Sequence, residues 1–579
     1  MQLADSNARG TRGRFLIAAV AVSALASCSS EPTDPVPPPP PPSAGVAACA
    51  SQPVTQLAVG QHALIDPATR NGCVRVPVAG AEGAEYLLVV ASGTGARSAS
   101  GIAGPYHLAV GNPALAVSAA AAAIRDDEPF RIGRRTAADD FHDMLRRKEA
   151  ELVASGAART PVAPAPGIAA APPVVGHQRT FKTCRTVTCA QFDDVVAVAR
   201  YVGTKAAIYM EIDVPKVDTL LEVDFQDLGR TFDVYHYPIN LAAFGAESDL
   251  DNNERVVILL TKSVNNLTPD CTNGRVLGYF YGADLLTGPN SNQGEIFYTL
   301  VPSPATATCS AVSRTAAVRI IKPTLIHELQ HMINWNQRVI RRGLSAEETW
   351  VNEALSHFAE ELAGRLIPDA ECPGYSSCRS QYISSNIINS YDYLADPESH
   401  FLVYPTSSNG SLEERGASWL FLRWVVDHFA TDSILGGDFT PSLVSAAGGA
   451  ASFAARTGVS FADLVTEWHM ANYLDDMPGF VATSSRLRLK SWGLRGVWTN
   501  PVNQSTATPP GPFTGFPLTP EQVSGNYTRT GTLRGGSARH LRLVQSANGA
   551  ALDVRLARNA AGDAIDPALG ARFGIVRIR

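Results

Sequence analysis

Thr324-Leu-Ile-His327-Glu328-Leu-Gln-His331-Met-Ile-Asn-Trp335 is the stretch from which the rest of this chain can be read. Two histidines at i and i+4 lie on one face of a helix, so both imidazoles reach a single Zn2+, and the glutamate between them is placed to take a proton from a water on that ion. His327 and His331 therefore read as metal ligands and Glu328 as the general base. A hydrolytic zinc site needs a third protein ligand and an open fourth position. Trp350-Val-Asn352-Glu353-Ala-Leu-Ser356 offers it, because Glu353 follows His331 by 22 residues. That length lets a second helix pack beside the first and aim its carboxylate at the same ion.

Outward from this motif, apolar periodicity predicts helices over residues 191–201, 323–340, 345–367 and 416–429, with Ser345 as N-cap of the third and Glu348 completing its capping box. Residues 255–261, 276–281 and 295–300 read as strands. A sheet thus precedes the motif helix and a helical part follows it, giving an α+β catalytic domain over 178–480. β-rich runs flank it, at 73–78 and 86–90 before and at 540–544, 551–556 and 572–578 after, and predict β-sandwich-like accessory domains over 45–125 and 481–579. Between them, 126–177 holds a helical run from Phe141 to Ala154 and then a Pro/Ala-rich stretch, a linker or propeptide-like arm.

The N-terminus reads as an export signal over 1–27: Arg9, Arg12 and Arg14 precede the apolar run 15–26, which is too short to span a bilayer. Leu25-Ala26-Ser27-Cys28 resembles a bacterial lipobox, which implies lipidation of Cys28 and attachment to the cell envelope, in a Gram-negative host at the outer membrane. Residues 28–44, with prolines unbroken from Pro37 to Pro42, form a stiff tether. Setting Cys28 aside leaves eight of the nine cysteines, in a disulfide-permitting compartment. Near neighbours suggest Cys49 with Cys73, Cys184 with Cys189, Cys271 with Cys309 and Cys372 with Cys378; no pair has the CxxC spacing of a metal site. A net charge of -6 and a pI near 6.1 give no electrostatic footprint for nucleic acid.

The two metal helices, with Gly416-Ala-Ser-Trp-Leu-Phe-Leu-Arg-Trp and Trp468-His-Met-Ala-Asn-Tyr, resemble the hyicolysin-type neutral metallopeptidases over roughly residues 178–480. The Asn-Glu-Ala-Leu-Ser string is similar to that of gluzincins, whose third ligand is this Glu, whereas Gln337 stands where a metzincin has its third His. The resemblance implies a zincin-like fold and a secreted zinc endopeptidase acting on proteins or peptides. In thermolysin-like gluzincins an Asp follows the Ser of that string and orients a ligand His; here it is His357. Glu360, seven residues after Glu353 on the same helix face, is the candidate acceptor for a ligand N–H, beside the plainer reading of a surface carboxylate. His357 reads as a packing residue.

Four further expectations complete the reading. Tyr391, Tyr393 and His400 are candidate donors to the oxyanion, with nothing to select among them. Residues 295–300 are the candidate edge strand for pairing with a peptide substrate. Asp249-Leu-Asp251-Asn-Asn253-Glu254 offers alternating oxygens to Ca2+, but the Gly and distal Glu of an EF-type loop are absent, and an Asx-rich turn is the plainer reading. Two rival functions stand beside the endopeptidase: an inactive surface binding module, which an intact Glu328 argues against, and a zinc amidase acting on a cell-wall link.

Overall fold

The computed structural model describes residues 44–111, 136–156, 172–499, 513 and 515–579, apart from 217, 273, 446 and 447. The export signal, Cys28 and the prolines Pro37 to Pro42 lie outside the described residues. The N-terminal segment contributes β1 (His62–Ile65), β2 (Cys73–Val76), β3 (Ala84–Ser92) and β4 (Ala103–Gly111). The central segment gives β5 (Gln178–Cys184), β6 (Phe192–Val202), β7 (Ala206–Glu211), β8 (Val256–Leu260), β9 (Gly278–Phe280) and β10 (Ile296–Thr299). The C-terminal segment adds β11 (Glu521–Val523), β12 (Tyr527–Arg534), β13 (Ala538–Gln545), β14 (Leu552–Ala557) and β15 (Ala571–Arg577).

The two flanking β segments do not form separate domains. Their strands interleave in two sheets, β1-β15-β3-β13-β11 and β12-β4-β14-β2, so one sandwich is built from both. β3 explains why. It is buried at all nine positions, and a strand buried on both faces needs partners along both edges, which β13 and β15 supply. Alternation in sequence locates such a strand but says nothing of which segment lies beside it. The two faces of β3 serve two cores: Leu88 and Val90 pack between the sheets of the sandwich, while Leu87, Val89 and Ala91 join the core of the central part. There β3 meets the helix Phe461–Leu474, and His469 Nε2 donates to Gly536 O at 2.9 Å. The four disulfides join the cysteine pairs expected from their spacing.

The central sheet runs β5-β6-β7-β8-β10-β9, with β7, β8 and β10 parallel and the outer strands antiparallel. Two expectations change here. Residues 191–201 are not helical but form β6, where Val195, Ala197 and Ala199 are buried in alternation, so a period of two overrides the apparent helical one. Residues 295–300 are not an edge: β10 is paired on one side by β8 and on the other by β9, and β9 is the edge strand.

Helices follow the sheet. The motif helix Arg314–Trp335 is capped by Ser313 Oγ and runs beside β9. The carboxylate helix is Thr349–Leu366 with Glu348 at its cap, so the chain enters it three residues later than the Ser345 cap predicts. Glu348 sits at the cap with its carboxylate taken by Trp350 Nε1 at 2.8 Å, and Glu347 is spent on Arg338 at 3.1 Å. The helix Leu412–Phe429, closed by a capping box between Ser411 and Glu414, packs across both Thr349–Leu366 and Ser384–Ala395. Gly416 allows the last contact: a Cβ there would stand 2.3 Å from the backbone of Asn389. Among these helices Glu361 is fully buried and accepts from Trp419 Nε1 (2.9 Å), Trp492 Nε1 (2.7 Å) and Arg365 Nε (2.7 Å).

The helix Ala137–Ala154 is no mere linker. A reciprocal box between Thr136 and Asp139 opens it, and its residues Phe141 and Leu145 are fully buried in the central core.

Candidate metal centre

The motif helix presents His327 and His331 one turn apart, with ring centroids 4.9 Å from each other. Glu353, from the carboxylate helix, reaches between them. Its Oε2 is 3.6 Å from His327 Nε2 and its Oε1 is 3.7 Å from His331 Nε2. These separations are too long for hydrogen bonds. Each, to its own carboxylate oxygen, is close to the edge of a tetrahedron, about 3.4 Å for ligand bonds of about 2.1 Å around Zn2+. The ligand atoms of all three residues fall within 4.8 Å of one another. The donor set, two imidazoles and one carboxylate, is a zinc set with room for a further ligand.

Both imidazoles have polar neighbours besides Glu353. His327 Nδ1 is 2.7 Å from Glu360 Oε1, so Glu360 accepts a ligand N–H and is not a surface carboxylate. Ser356 Oγ donates to Gln330 Oε1 at 2.6 Å and lies against the His331 ring, 3.1 Å from Nδ1 and 3.3 Å from Nε2. The serine of the Asn-Glu-Ala-Leu-Ser string thus packs on the His331 ring, while Glu360 holds one nitrogen of His327. His357 packs edge-on against the His327 ring at 4.9 Å and shares Glu360, with Nδ1 3.3 Å from Oε2.

The charges follow this geometry. Burial alone would lower His327, but Glu353 and Glu360 outweigh it and push it up to about 10. Burial instead carries His331 well below its ordinary value. Glu360 is drawn down to about 2 because His357 and His327 outweigh its own burial. Glu328 is buried at 1% exposure and pushed up to about 7 by that burial, against the pull of His327 and Arg146. Its Oε2 accepts from Phe280 N–H at 2.9 Å, so the base is tied to the edge strand.

Several residues at the centre carry no sequence signal of their own. Arg415 Nε lies 4.0 Å from Glu353 Oε2, and its Nη2 is 3.2 Å from Asp139. Arg415 directly precedes the Gly416 string, whose apolar run draws the eye past it. His142 and Arg146, on the helix Ala137–Ala154, also come to the site from outside the expected catalytic domain. His142 is pushed down to about 3, first by burial and then by Arg415, with Glu353 and His327 also among its charged neighbours. The same helix, with His331, Trp335 and Asn352, lines a cavity of about 370 Å3.

The structure does not bring the three oxyanion candidates to this centre. Tyr391 packs against Trp498 and Phe513, Tyr393 is fully buried on Trp468, and His400 lies beside Tyr393 with Glu413, Asp396 and Arg534 as charged neighbours. Aromatic spacing along one helix could not distinguish packing from site. The segment from Asp249 meets an acid from elsewhere: Asp249, Asp251 and Glu295 place ligand atoms within 4.8 Å of one another.

No family model matches the chain. Over 139 residues it is 30% identical to the neutral metalloprotease ShpI of Staphylococcus hyicus. The match spans 24% of this chain and 30% of that protein, less than a third of its length. Among solved structures, an M1 zinc metallopeptidase of Deinococcus radiodurans, in a mutant form bound to a Tyr-Ser-Ala substrate, superposes over 50% of this chain and 51% of that one. The identity is 16% and the TM-score 0.27, too low to bear on the fold. The chain is therefore a mixed α and β protein with a distant metalloprotease relative and a His/Glu cluster that could hold a metal ion.

Proposed function

We propose that the chain is a zinc-dependent endopeptidase with His327, His331 and Glu353 as ligands and Glu328 as general base. The observation that carries this is the meeting of three donor groups within 4.8 Å of one another beside the buried carboxyl of Glu328. Bound there, zinc would acidify a water and polarise the scissile carbonyl. The chain's residues supply the rest. Glu328 is held by Phe280 N–H, takes a proton from the water and hands it to the leaving amine, and a carboxyl near pH 7 can do both. Glu360 and Ser356 fix the imidazole rings. Export and an envelope anchor through Cys28 belong to the same proposal and rest on the sequence alone.

The test is zinc content and cleavage of casein and of short unblocked peptides by purified protein, alongside Glu328→Ala. One zinc per chain in both proteins, with cleavage only in the parent, is expected. Zinc absent from the parent would overturn the ligand set; zinc bound, with no peptide bond cut, would overturn the peptidase reading and favour an amide of another kind.

A further inference from the structure

The edge strand β9 has one side paired with β10 through Tyr279. The other side should be free for a substrate, since a peptide joining a sheet uses the C=O of one residue and the N–H of the residue two further on. Beyond Phe280 the chain turns into a short 3-10 helix over Gly282–Leu285. On this side Phe280 N–H is held by Glu328, while Phe280 O and the N–H of Gly282, the first residue of that turn, are taken by the helix Ala137–Ala154. Arg146 Nη2 donates to Phe280 O at 3.1 Å, and Glu149 Oε1 accepts from Gly282 N–H at 2.9 Å. Both contacts are buried, and the two side chains are paired with each other at 3.0 Å. A guanidinium and a carboxylate so joined present one donor and one acceptor to the strand, as a peptide group would. Gly282 shows how close the approach is: a Cβ there would stand 2.9 Å from Glu149 Oε1.

The same helix face continues towards the metal centre. His142, one turn before Arg146, has Glu353 and His327 among its charged neighbours. Asp139 pairs with Arg415, which neighbours Glu353, and Phe141 packs edge-on against Tyr279 of β9 at 5.0 Å. We propose that the helix Ala137–Ala154 is a built-in occupant of the peptide-binding edge, holding Phe280 O and Gly282 N–H with Arg146 and Glu149 and so keeping the centre latent towards extended peptides.

This rests on the peptidase reading, and the experiment separates the two. Parent and Arg146→Ala/Glu149→Ala, both zinc-loaded, are titrated with a peptide hydroxamate and assayed on casein. The expected result is a gain of at least tenfold in hydroxamate affinity and in kcat/KM, with zinc content unchanged. Unchanged or weaker hydroxamate binding by the folded, zinc-loaded variant would overturn the occupant proposal whatever casein does. A gain in hydroxamate affinity with no casein cleavage would uphold it while removing the peptidase reading. Should the double variant fail to fold, Glu149→Gln, which weakens a single contact, is expected to give a smaller gain in the same direction, and no gain would count against the proposal.

A second observation stands apart from this site. Glu295 is buried at 1% exposure; its Oε1 accepts from Leu250 N–H at 3.1 Å, while its Oε2 has no hydrogen-bond partner. That carboxylate, Asp249 and Asp251 share one 4.8 Å cluster. Asp249 and Asp251 keep their places through Glu254 N–H (3.1 Å) and Asn253 Nδ2 (2.6 Å). We infer that Asp249, Asp251 and Glu295 bind Ca2+ and clamp the loop before β8 to the start of β10. The acid that an EF-type loop would carry downstream comes here from another strand. Terbium luminescence with calcium competition reads the site: the parent binds and gains several degrees in Tm with calcium, and Glu295→Gln does neither. Equal calcium shifts in both proteins, or no binding by the parent, would overturn it; Asp249→Asn, at an exposed position, replaces Glu295→Gln if that variant does not fold.

Discussion

Replacing Glu360 by alanine isolates the outer support of the metal centre. The carboxylate makes a charged hydrogen bond of 2.7 Å to His327 Nδ1 and a longer one of 3.3 Å to His357, and it is buried, so water cannot replace it. A hydrogen bond to a charged group is worth about 1.5–3 kcal/mol, which corresponds to a loss of roughly 10- to 150-fold in zinc affinity. This agrees with the 10- to 100-fold range typical of such partners. Glu360→Gln keeps an oxygen for the ring N–H and should lose less. The proton count gives a second readout. With His327 near pH 10 in the metal-free chain, zinc must displace nearly one proton from it at pH 7.5, so affinity rises with pH. In Glu360→Ala the ring falls back towards its ordinary value and the release shrinks, which by itself favours zinc at pH 7.5, so the affinities compared are those corrected for the protons released. Competition against a chelator gives the affinity, and calorimetry in buffers of different ionisation enthalpy gives the protons. Zinc affinity within twofold of the parent, in a variant of unchanged Tm, would refute the argument that Glu360 holds His327 for the metal.

Three other outcomes are expected. Glu328→Gln should keep zinc and the fold yet lose about 10^2- to 10^4-fold in kcat, checked by single-turnover cleavage of a quenched peptide. Glu361→Ala should destabilise by about 3–5 kcal/mol, because Arg365 would keep a buried charge without its carboxylate and the indole N–H groups of Trp419 and Trp492 would lose their acceptor; the urea midpoint reads it, and a change under about 1 kcal/mol would contradict it. Acid should destabilise the protein through His236, His469 and His540, which burial pushes down to about 3, 4 and 3. The unfolded chain takes up protons below about pH 6.5 that these folded sites refuse. Stability is therefore fully present above that pH and falls towards pH 4, by up to about 1.4 kcal/mol per pH unit for each ring. His540→Gln should flatten the slope of urea midpoint against pH.

The metal centre was largely legible because its chemistry is local: i and i+4 histidines need only a helix, and Glu353 needs only a second one. Glu360 was reachable by the same spacing argument, since it shares a face with Glu353. What escaped depends on partners distant in sequence. Arg146 meets Phe280 across 134 residues, and nothing in FHDMLRRKEAELVA distinguishes a solvated basic face from one pressed on a strand edge. β10 was misjudged for a related reason: IFYT and GYF are both apolar, and which of them ends the sheet is set by topology. At β6, the apolar spacing over 191–201 suggested a helix, whereas pairing with β5 and β7 imposed the period of two.

The sandwich sets a condition on how this molecule comes into being. β3 emerges early in synthesis, yet both of its neighbours belong to residues 538–577. Until those are made, a strand apolar on both faces waits with both edges open, the state most prone to stray pairing. One face of β3 also roofs the helix Phe461–Leu474, so the central part lacks a wall until the sandwich closes. Chains cut short before β13 should be marked for degradation as a whole and leave no active fragment behind, which makes closure of the sandwich a check on completeness.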